Sequence, residues 1–229
     1  MKKKTLNEYN EDYYRHQEAQ WVSKFHMIKY IQFLIKQKNI KWLDIGCSKG
    51  YLVQELLDNK IQSYGIDISS LAFKDMNFNL RSRVTAGSIS YIPYKNEAFD
   101  VISVFDIVEH IHPKETDVAF KELNRILKKG GYLILTTPNS AHIGNWIYDL
   151  THINVRPLAY WEKVFKQNGF GLKKEYVPSF LKYLIAHKHK VCVPISNKIC
   201  FILEEPLRYI FGKFFSRRGR LYFFAKKVR

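Results

Sequence analysis

Apolar and polar positions fall into two alternating rhythms along this chain. From Tyr9 to Gln37, apolar and aromatic side chains (Trp21, Phe25, Ile28, Ile31, Leu34, Ile35) recur at helical spacing and predict helical structure ahead of the first strand. Short strand-like runs follow at 41–46 (KWLDIG), 63–68 (SYGIDI), 83–87 (RVTAG), 99–106 (FDVISVFD), 132–138 (YLILTTP), 171–177 (GLKKEYV) and 220–227 (RLYFFAKK). Helical patterns at 49–59, 69–79, 114–128 and 157–170 separate most of them. Strands that alternate with helices of about ten to fifteen residues pair in parallel through right-handed crossovers and bury both sheet faces. The pattern therefore predicts a doubly wound α/β domain. Gly130 and Gly131 follow a helix end rich in cations, LNRILKK, and are expected to release the chain into the fifth strand. The stretch 178–219 stands outside the alternation.

The first strand carries the chemistry. Asp44 closes its apolar run, and Gly46, Ser48 and Gly50 follow before the next helix. In an open parallel sheet, ligands bind at the carboxyl ends of the strands, commonly at this loop. A pyrophosphate fingerprint needs G-x-G-x-x-G, because its glycines let a helix N-terminus approach two phosphates. The match here is poor. Asp44 would repel a pyrophosphate and attract an ammonium or sulfonium group, so the expected guest is a nucleoside with a cationic arm. Asp67 ends the second strand twenty-one residues after Gly46, the spacing at which a carboxylate accepts hydrogen bonds from ribose hydroxyls. Ser88 and Ile89 stand at the carboxyl end of the third strand, where an adenine edge and face would be met.

Together LDIGCSKGYL, YGIDIS, AGSISYIPYKNEAFDVISVFDIVEHI and LNRILKKGGYLILTTPN resemble the successive motifs of class I S-adenosylmethionine-dependent methyltransferases. The likeness is strongest to the ubiquinone/menaquinone-type small-molecule branch, and it covers residues 40–177 and the last strand. It implies a Rossmann-like, seven-strand, mostly parallel sheet with helices on both faces and RLYFFAKK antiparallel. It further implies that Asp44, Gly46, Cys47, Ser48, Gly50 and Tyr51 border the methionine part of the cofactor and that Asp67 binds the ribose. Ile68 would pack on adenine, Ser88 and Ile89 would border its other edge, and Phe105 follows the fourth strand. Two departures stand out. Ser48 replaces the family's middle glycine, which a negative φ would tolerate, and Ser88 stands where an acidic residue is usual.

Methyl transfer from a sulfonium is an in-line displacement, so a general base is needed only for an acceptor whose proton has a high pKa. The candidates are Asp106, Glu109, His110 and His112 in DIVEHIH, directly after strand four. His110 would deprotonate a hydroxyl acceptor, with Glu109 or Asp106 orienting it. His142, His152, Tyr13, Tyr14 and His16 are candidates to touch substrate or to close over the cofactor.

Charge changes the picture at one end. Residues 178–229 hold twelve Lys/Arg against two Glu and so carry +10 of the net +16. Such asymmetry suits a polyanionic partner. The insertion 178–219 mixes Phe and Leu with Lys and Arg, interrupted by Pro194 and Pro206, which predicts short amphipathic helices. They would form a lid over a small-molecule or lipid-like acceptor or lie on an anionic membrane. The expected organisation is one domain: a helical segment at 1–38, a core at 39–177 and 220–229, and this insertion. A charged start with no apolar run behind it, and no long apolar window, suggest a cytoplasmic location, peripheral to a membrane at most. Three scattered cysteines give neither a disulfide framework nor zinc spacing, so no metal is expected. RNA methylation is the alternative that the charge favours, but no Asn-Pro-Pro-Tyr type motif follows strand four. An NAD-dependent oxidoreductase or epimerase is opposed by Asp44 and the missing phosphate-loop glycine. A non-catalytic S-adenosylmethionine-binding protein is compatible with the same motifs.

Overall fold

The computed structural model describes residues 39–74, 76, 78–141, 149, 151–172 and 220–229. The predicted helical segment at 1–38, with Tyr13, Tyr14 and His16, lies outside these residues. So do His142, the distal part of the sixth predicted strand, and the insertion 178–219.

Among the described residues seven strands form one sheet: β1 (Lys41–Ile45), β2 (Gln62–Asp67), β3 (Val84–Ala86), β4 (Phe99–Phe105), β5 (Leu127–Pro138), β6 (Phe170–Leu172) and β7 (Arg220–Lys227). Their order is β3-β2-β1-β4-β5-β7-β6, with β7 antiparallel to both β5 and β6 and the remaining pairs parallel. The order reverses at β1, where β2 lies on one side and β4 on the other. That is where such sheets open a ligand crevice.

Side chains of β1 alternate between two cores. Trp42 packs with Leu52 and Leu56 of α1 (Tyr51–Asp58), while Leu43 and Ile45 join the core built on α3 (Thr116–Ile126) and α4 (Leu158–Gln167). Trp42, Leu43, Leu52 and Leu56 are fully buried, each contributing about 1.5–3 kcal/mol. The same alternation puts Asp44 on the α1 side, next to Ser103 of β4. The Ser103 hydroxyl donates to Asp44 Oδ1 at 2.6 Å and accepts from the Trp42 indole N–H at 2.9 Å. A buried carboxylate is tolerable there because its neighbours in the sheet supply polar partners.

Two expected helices differ from their predicted form. The 69–79 pattern yields a 3-10 turn at Ser70–Phe73 and a one-turn helix, α2, at Phe78–Arg81. Ser69 is extended, and its N–H is taken by Asp67 Oδ1 at 2.9 Å, which holds the chain out of helical geometry. The 114–128 pattern becomes a 3-10 turn at Pro113–Glu115 and then α3, which ends at Ile126. Gly130 and Gly131 therefore sit inside β5 and not at a helix end. Leu127 is already extended and pairs with Phe99. Between Phe99↔Leu127 and Val101↔Tyr132, β5 advances five residues while β4 advances two, so the Lys-Lys-Gly-Gly stretch is absorbed as a bulge.

The loop from β3 to β4 is clamped onto α3. Glu122 accepts the Ile92 N–H at 2.9 Å and the Arg125 Nε and Nη2 protons at 2.7 and 2.8 Å. Arg125 also donates to the carbonyls of Ile92 and Tyr94 and to Asn96 Oδ1. The hydrogen bonds from Arg125 hold the Glu122 carboxyl below its usual value against the opposing effect of burial. Its stabilisation is thus complete above the ordinary pKa near 4.5 and is lost as pH falls through the lower folded value. Glu122→Gln should cost about 1–2 kcal/mol at neutral pH and flatten the acid limb of the stability profile, as read by urea denaturation from pH 7 down to pH 3.

Candidate active site

The β1–α1 loop turns on left-handed residues. Gly46 has φ 76°, and a Cβ there would lie 2.1 Å from Ile107 Cδ1. Gly50, φ 73°, caps α1, which Tyr51 opens. Between them Ser48 has φ 48°, so the condition under which serine would replace glycine without strain, a negative φ, is not met. The loop is pulled back onto β2: the N–H groups of Gly46 and Cys47 both donate to Ile66 O, at 2.7 and 3.0 Å. The Ser48 N–H then reaches Asp67 Oδ2 at 2.8 Å. That hydrogen bond holds serine in a conformation that costs an L-residue about 1–2 kcal/mol.

Asp67 collects the loops. Its two oxygens each accept one backbone N–H, from Ser48 and Ser69, and its carbonyl accepts the Gly87 N–H at 2.9 Å. A carboxylate has about four lone-pair sites, so both oxygens retain acceptor capacity. Burial pushes the Asp67 carboxyl up, and backbone N–H groups of Ser69, Ser48 and Ile68 oppose the rise. The hydroxyls of Ser48 and Ser69 are buried beside it without hydrogen-bond partners among the described residues. Cys47 is buried between Asp44 and Asp67; burial first, then those two charges, raise its thiol well above the usual value, so it stays protonated and inert.

The other adenine-side candidates divide. Ile68 is exposed at 59%, whereas Ile89 is buried in the core. The Ser88 hydroxyl accepts the Ser90 N–H at 3.2 Å within its own turn. Phe105, the last residue of β4, points its ring into the core with Trp42 and Leu52.

After β4 the candidate catalytic residues take distinct roles. Asp106 ties β4 to its neighbours: it accepts from Thr136 Oγ1 at 2.9 Å and pairs with Arg220 Nη2 at 3.2 Å. Glu109 is fully buried; Oε2 accepts from Thr137 Oγ1 at 3.1 Å, and Oε1 has no hydrogen-bond partner among the described residues. Burial and the Asp106 charge push its carboxyl well above the usual value. The Glu109 carbonyl accepts the N–H groups of Ile153 and Asn154, both at 2.9 Å, and Asn154 Nδ2 donates to Val108 O at 3.1 Å. His112 caps the 3-10 turn by accepting the Lys114 N–H.

His110 meets the loop that follows β5. Its Nδ1 lies 2.9 Å from Thr151 Oγ1, and that hydroxyl donates to Asp149 Oδ1. The threonine therefore accepts from Nδ1–H, which fixes the tautomer with the lone pair on Nε2. Burial would raise the Asp149 carboxyl, but Thr151 and the imidazoles of His152 and His110 outweigh it and hold it low. His152 packs edge-on to His110, with centroids 4.8 Å apart, and its Nε2 lies 3.4 Å from Asp149 Oδ2. Asp149 and Thr151 were missed in the sequence because they follow β5 by more than ten residues, outside any local motif.

A 3-2-1-4-5-7-6 sheet with one antiparallel strand is the Rossmann-like arrangement of the methyltransferase class. Residues 14–175 match the family described as a methyltransferase domain, and the chain belongs to that family, whose cofactor is S-adenosylmethionine. An uncharacterized protein of Methanocaldococcus jannaschii is 33% identical over 59% of this chain and 51% of its own length. The ubiquinone biosynthesis O-methyltransferase of Pelagibacter ubique is 29% identical over 60% of this chain and 64% of its own. Both matches thus span between about half and just under two thirds of the relative. In structure, an S-adenosylmethionine-dependent methyltransferase from Archaeoglobus fulgidus superposes with TM-score 0.62 at 18% identity, covering 94% of this chain and 99% of that one, which establishes the shared fold.

The left-handed Ser48 yields a direct test. Ser48→Gly should raise stability by about 0.5–1 kcal/mol, because relief of strain outweighs the added chain entropy, and Ser48→Val should lower it by more than about 1 kcal/mol. Equilibrium denaturation of the three proteins measures both; a loss in the glycine variant would mean that the serine side chain contributes more than the strain costs.

Proposed function

We propose that this chain transfers a methyl group from S-adenosylmethionine to oxygen or carbon of a small-molecule or lipid-like acceptor. The observation that carries the reading is Asp67: it stands at the end of β2 with one loop amide on each oxygen and acceptor capacity left on both. That capacity, beside the buried hydroxyls of Ser48 and Ser69, fits a ribose diol. The cofactor, when bound, supplies an electrophilic methyl group on a sulfonium. Asp44, Gly46, Cys47, Ser48, Gly50 and Tyr51 would hold its methionine end, Ile68, Ser88 and Ile89 its adenine, and Phe105 would support the strand end next to them. His110 Nε2 would accept the proton of a hydroxyl acceptor, with Thr151 and Asp149 fixing the ring and Glu109 bracing the loop through its carbonyl. Supporting the acceptor class, the Pelagibacter relative is named for ubiquinone biosynthesis.

The segment 178–219 extends the proposal by its composition alone. Its Phe-rich, Arg-flanked part from Leu207 to Arg220 suits reversible contact with an anionic membrane, at about 1 kcal/mol per basic residue. A lid over the acceptor is the competing use. Among the described residues no helix is long and apolar enough to cross a membrane.

Calorimetry tests the cofactor: S-adenosylmethionine should bind, and Asp67→Ala should weaken it at least about tenfold, since two charge-assisted hydrogen bonds are lost. Tight binding of NAD with no binding of S-adenosylmethionine would overturn the proposal. Co-sedimentation with vesicles tests the membrane: binding should require anionic lipid, weaken with salt and fall when Phe214 and Phe215 become Ser. Protein that stays in the supernatant at low salt leaves the lid use.

A further inference from the structure

Glu109, His110 and His152 each offer one donor atom, and these atoms lie within 4.8 Å of one another. The three come from two loops at the carboxyl ends of β4 and β5, separated by more than forty residues, so no zinc-type spacing in the sequence reports them. The backbone stitches the loops together: Ile153 and Asn154 donate to the Glu109 carbonyl, and Asn154 reaches the Val108 carbonyl.

Each donor also has an outer partner of the kind that orients metal ligands. Thr151, itself held by Asp149, fixes Nδ1 of His110. The same Asp149 carboxylate lies 3.4 Å from His152 Nε2, and Thr137 fixes one oxygen of Glu109. The second Glu109 oxygen is fully buried without a hydrogen-bond partner among the described residues. A buried carboxyl oxygen left in this state is costly unless something coordinates it. We propose that Glu109, His110 and His152 form a three-donor site for a divalent first-row transition ion.

The donor set decides the class of ion. Two imidazoles and one carboxylate suit zinc, cobalt, manganese or iron, whereas magnesium and calcium take oxygen donors. Three protein donors are the number found in catalytic sites, which keep a position open, and not in closed structural ones. A tetrahedral ion with bonds of about 2.1 Å holds its donors about 3.4 Å apart, so the cluster contracts by about an ångström or so on loading. Arg220, paired with Asp106, brings a positive charge to this end of the sheet. With the ion bound, His110 Nε2 is a ligand and takes no proton. An acceptor oxygen would then meet the ion in its open position; that last clause rests on the methyl-transfer reading, but the binding of the ion does not.

The test uses the full chain, stripped with chelator and titrated with Zn²⁺ or Co²⁺ by calorimetry, with the visible spectrum of the Co²⁺ form recorded in parallel. One equivalent should bind to the native protein with a cobalt spectrum of nitrogen and oxygen ligation, and Mg²⁺ should not compete at equal concentration. Glu109→Gln, which keeps an oxygen for Thr137, and His152→Asn should each weaken binding at least about tenfold and alter the cobalt bands. Asp117→Asn, on the exposed face of α3, should change neither. Circular dichroism checks that each variant is folded, and a thermal shift by Zn²⁺ in the native protein that is lost in His152→Asn gives a readout in any variant of reduced stability. Unchanged stoichiometry, affinity and spectrum in both site variants would place the ion elsewhere and overturn the proposal, as would no binding by the native chain. S-adenosylmethionine titrated into the same samples separates the two readings: cofactor binding without metal binding overturns only the metal site.

Discussion

The carboxylate of Asp67 links the turn after β1 to the turn after β2, and the architecture around it follows from what a carboxylate at that point demands. Its oxygens draw in the amides of Ser48 and Ser69. The first pull places Ser48 in the left-handed region; the second keeps Ser69 extended and breaks the helix that the apolar pattern announced. The crevice at the reversal of strand order is therefore pre-shaped by one side chain, and its cost in desolvation is offset by backbone donors that would otherwise lack partners.

A second carboxylate, Asp149, plays the matching part at the far side of the strand ends. Through Thr151 it sets the tautomer of His110, and directly it meets His152. The two acidic residues differ in electrostatic state for a plain reason. Asp67 is raised by burial against neutral amide dipoles, whereas Asp149 faces imidazoles and a hydroxyl that hold it low. One suits hydrogen-bond acceptance from hydroxyls, and the other stabilises positive charge next to it.

The sheet was legible in the sequence because β1 and β4 are buried on both faces and read as largely apolar runs, and because Asp44 near the end of β1 and Asp67 at the end of β2 stand at fixed places. Asp44, Gly46, Gly50 and Asp67 could be picked out for that reason. What escaped was set by contacts between distant segments. The β5 bulge at Lys128–Gly131 depends on pairing with Phe99, and a helix C-terminus with Lys-Lys-Gly-Gly looks identical in one dimension. The sign of φ at Ser48 depends on Asp67 nineteen residues away. Asp149, Thr151 and His152 are brought to the turn after β4 by the bonds of Ile153 and Asn154 to Glu109 and by that of Thr151 to His110.

The place of β7 in the sheet has a bearing on how the chain emerges from the ribosome. β6 pairs with β7 among the described residues, and β7 alone connects it to β5, yet forty-seven residues are synthesised between the two. While those residues are made, β5 presents an open edge and Phe165, Phe170 and Trp161 lack the cover that Leu221, Phe223 and Ala225 later provide. At about 5–20 residues per second this exposure lasts several seconds, long enough for a chaperone to bind the nascent sheet before the seventh strand slides in.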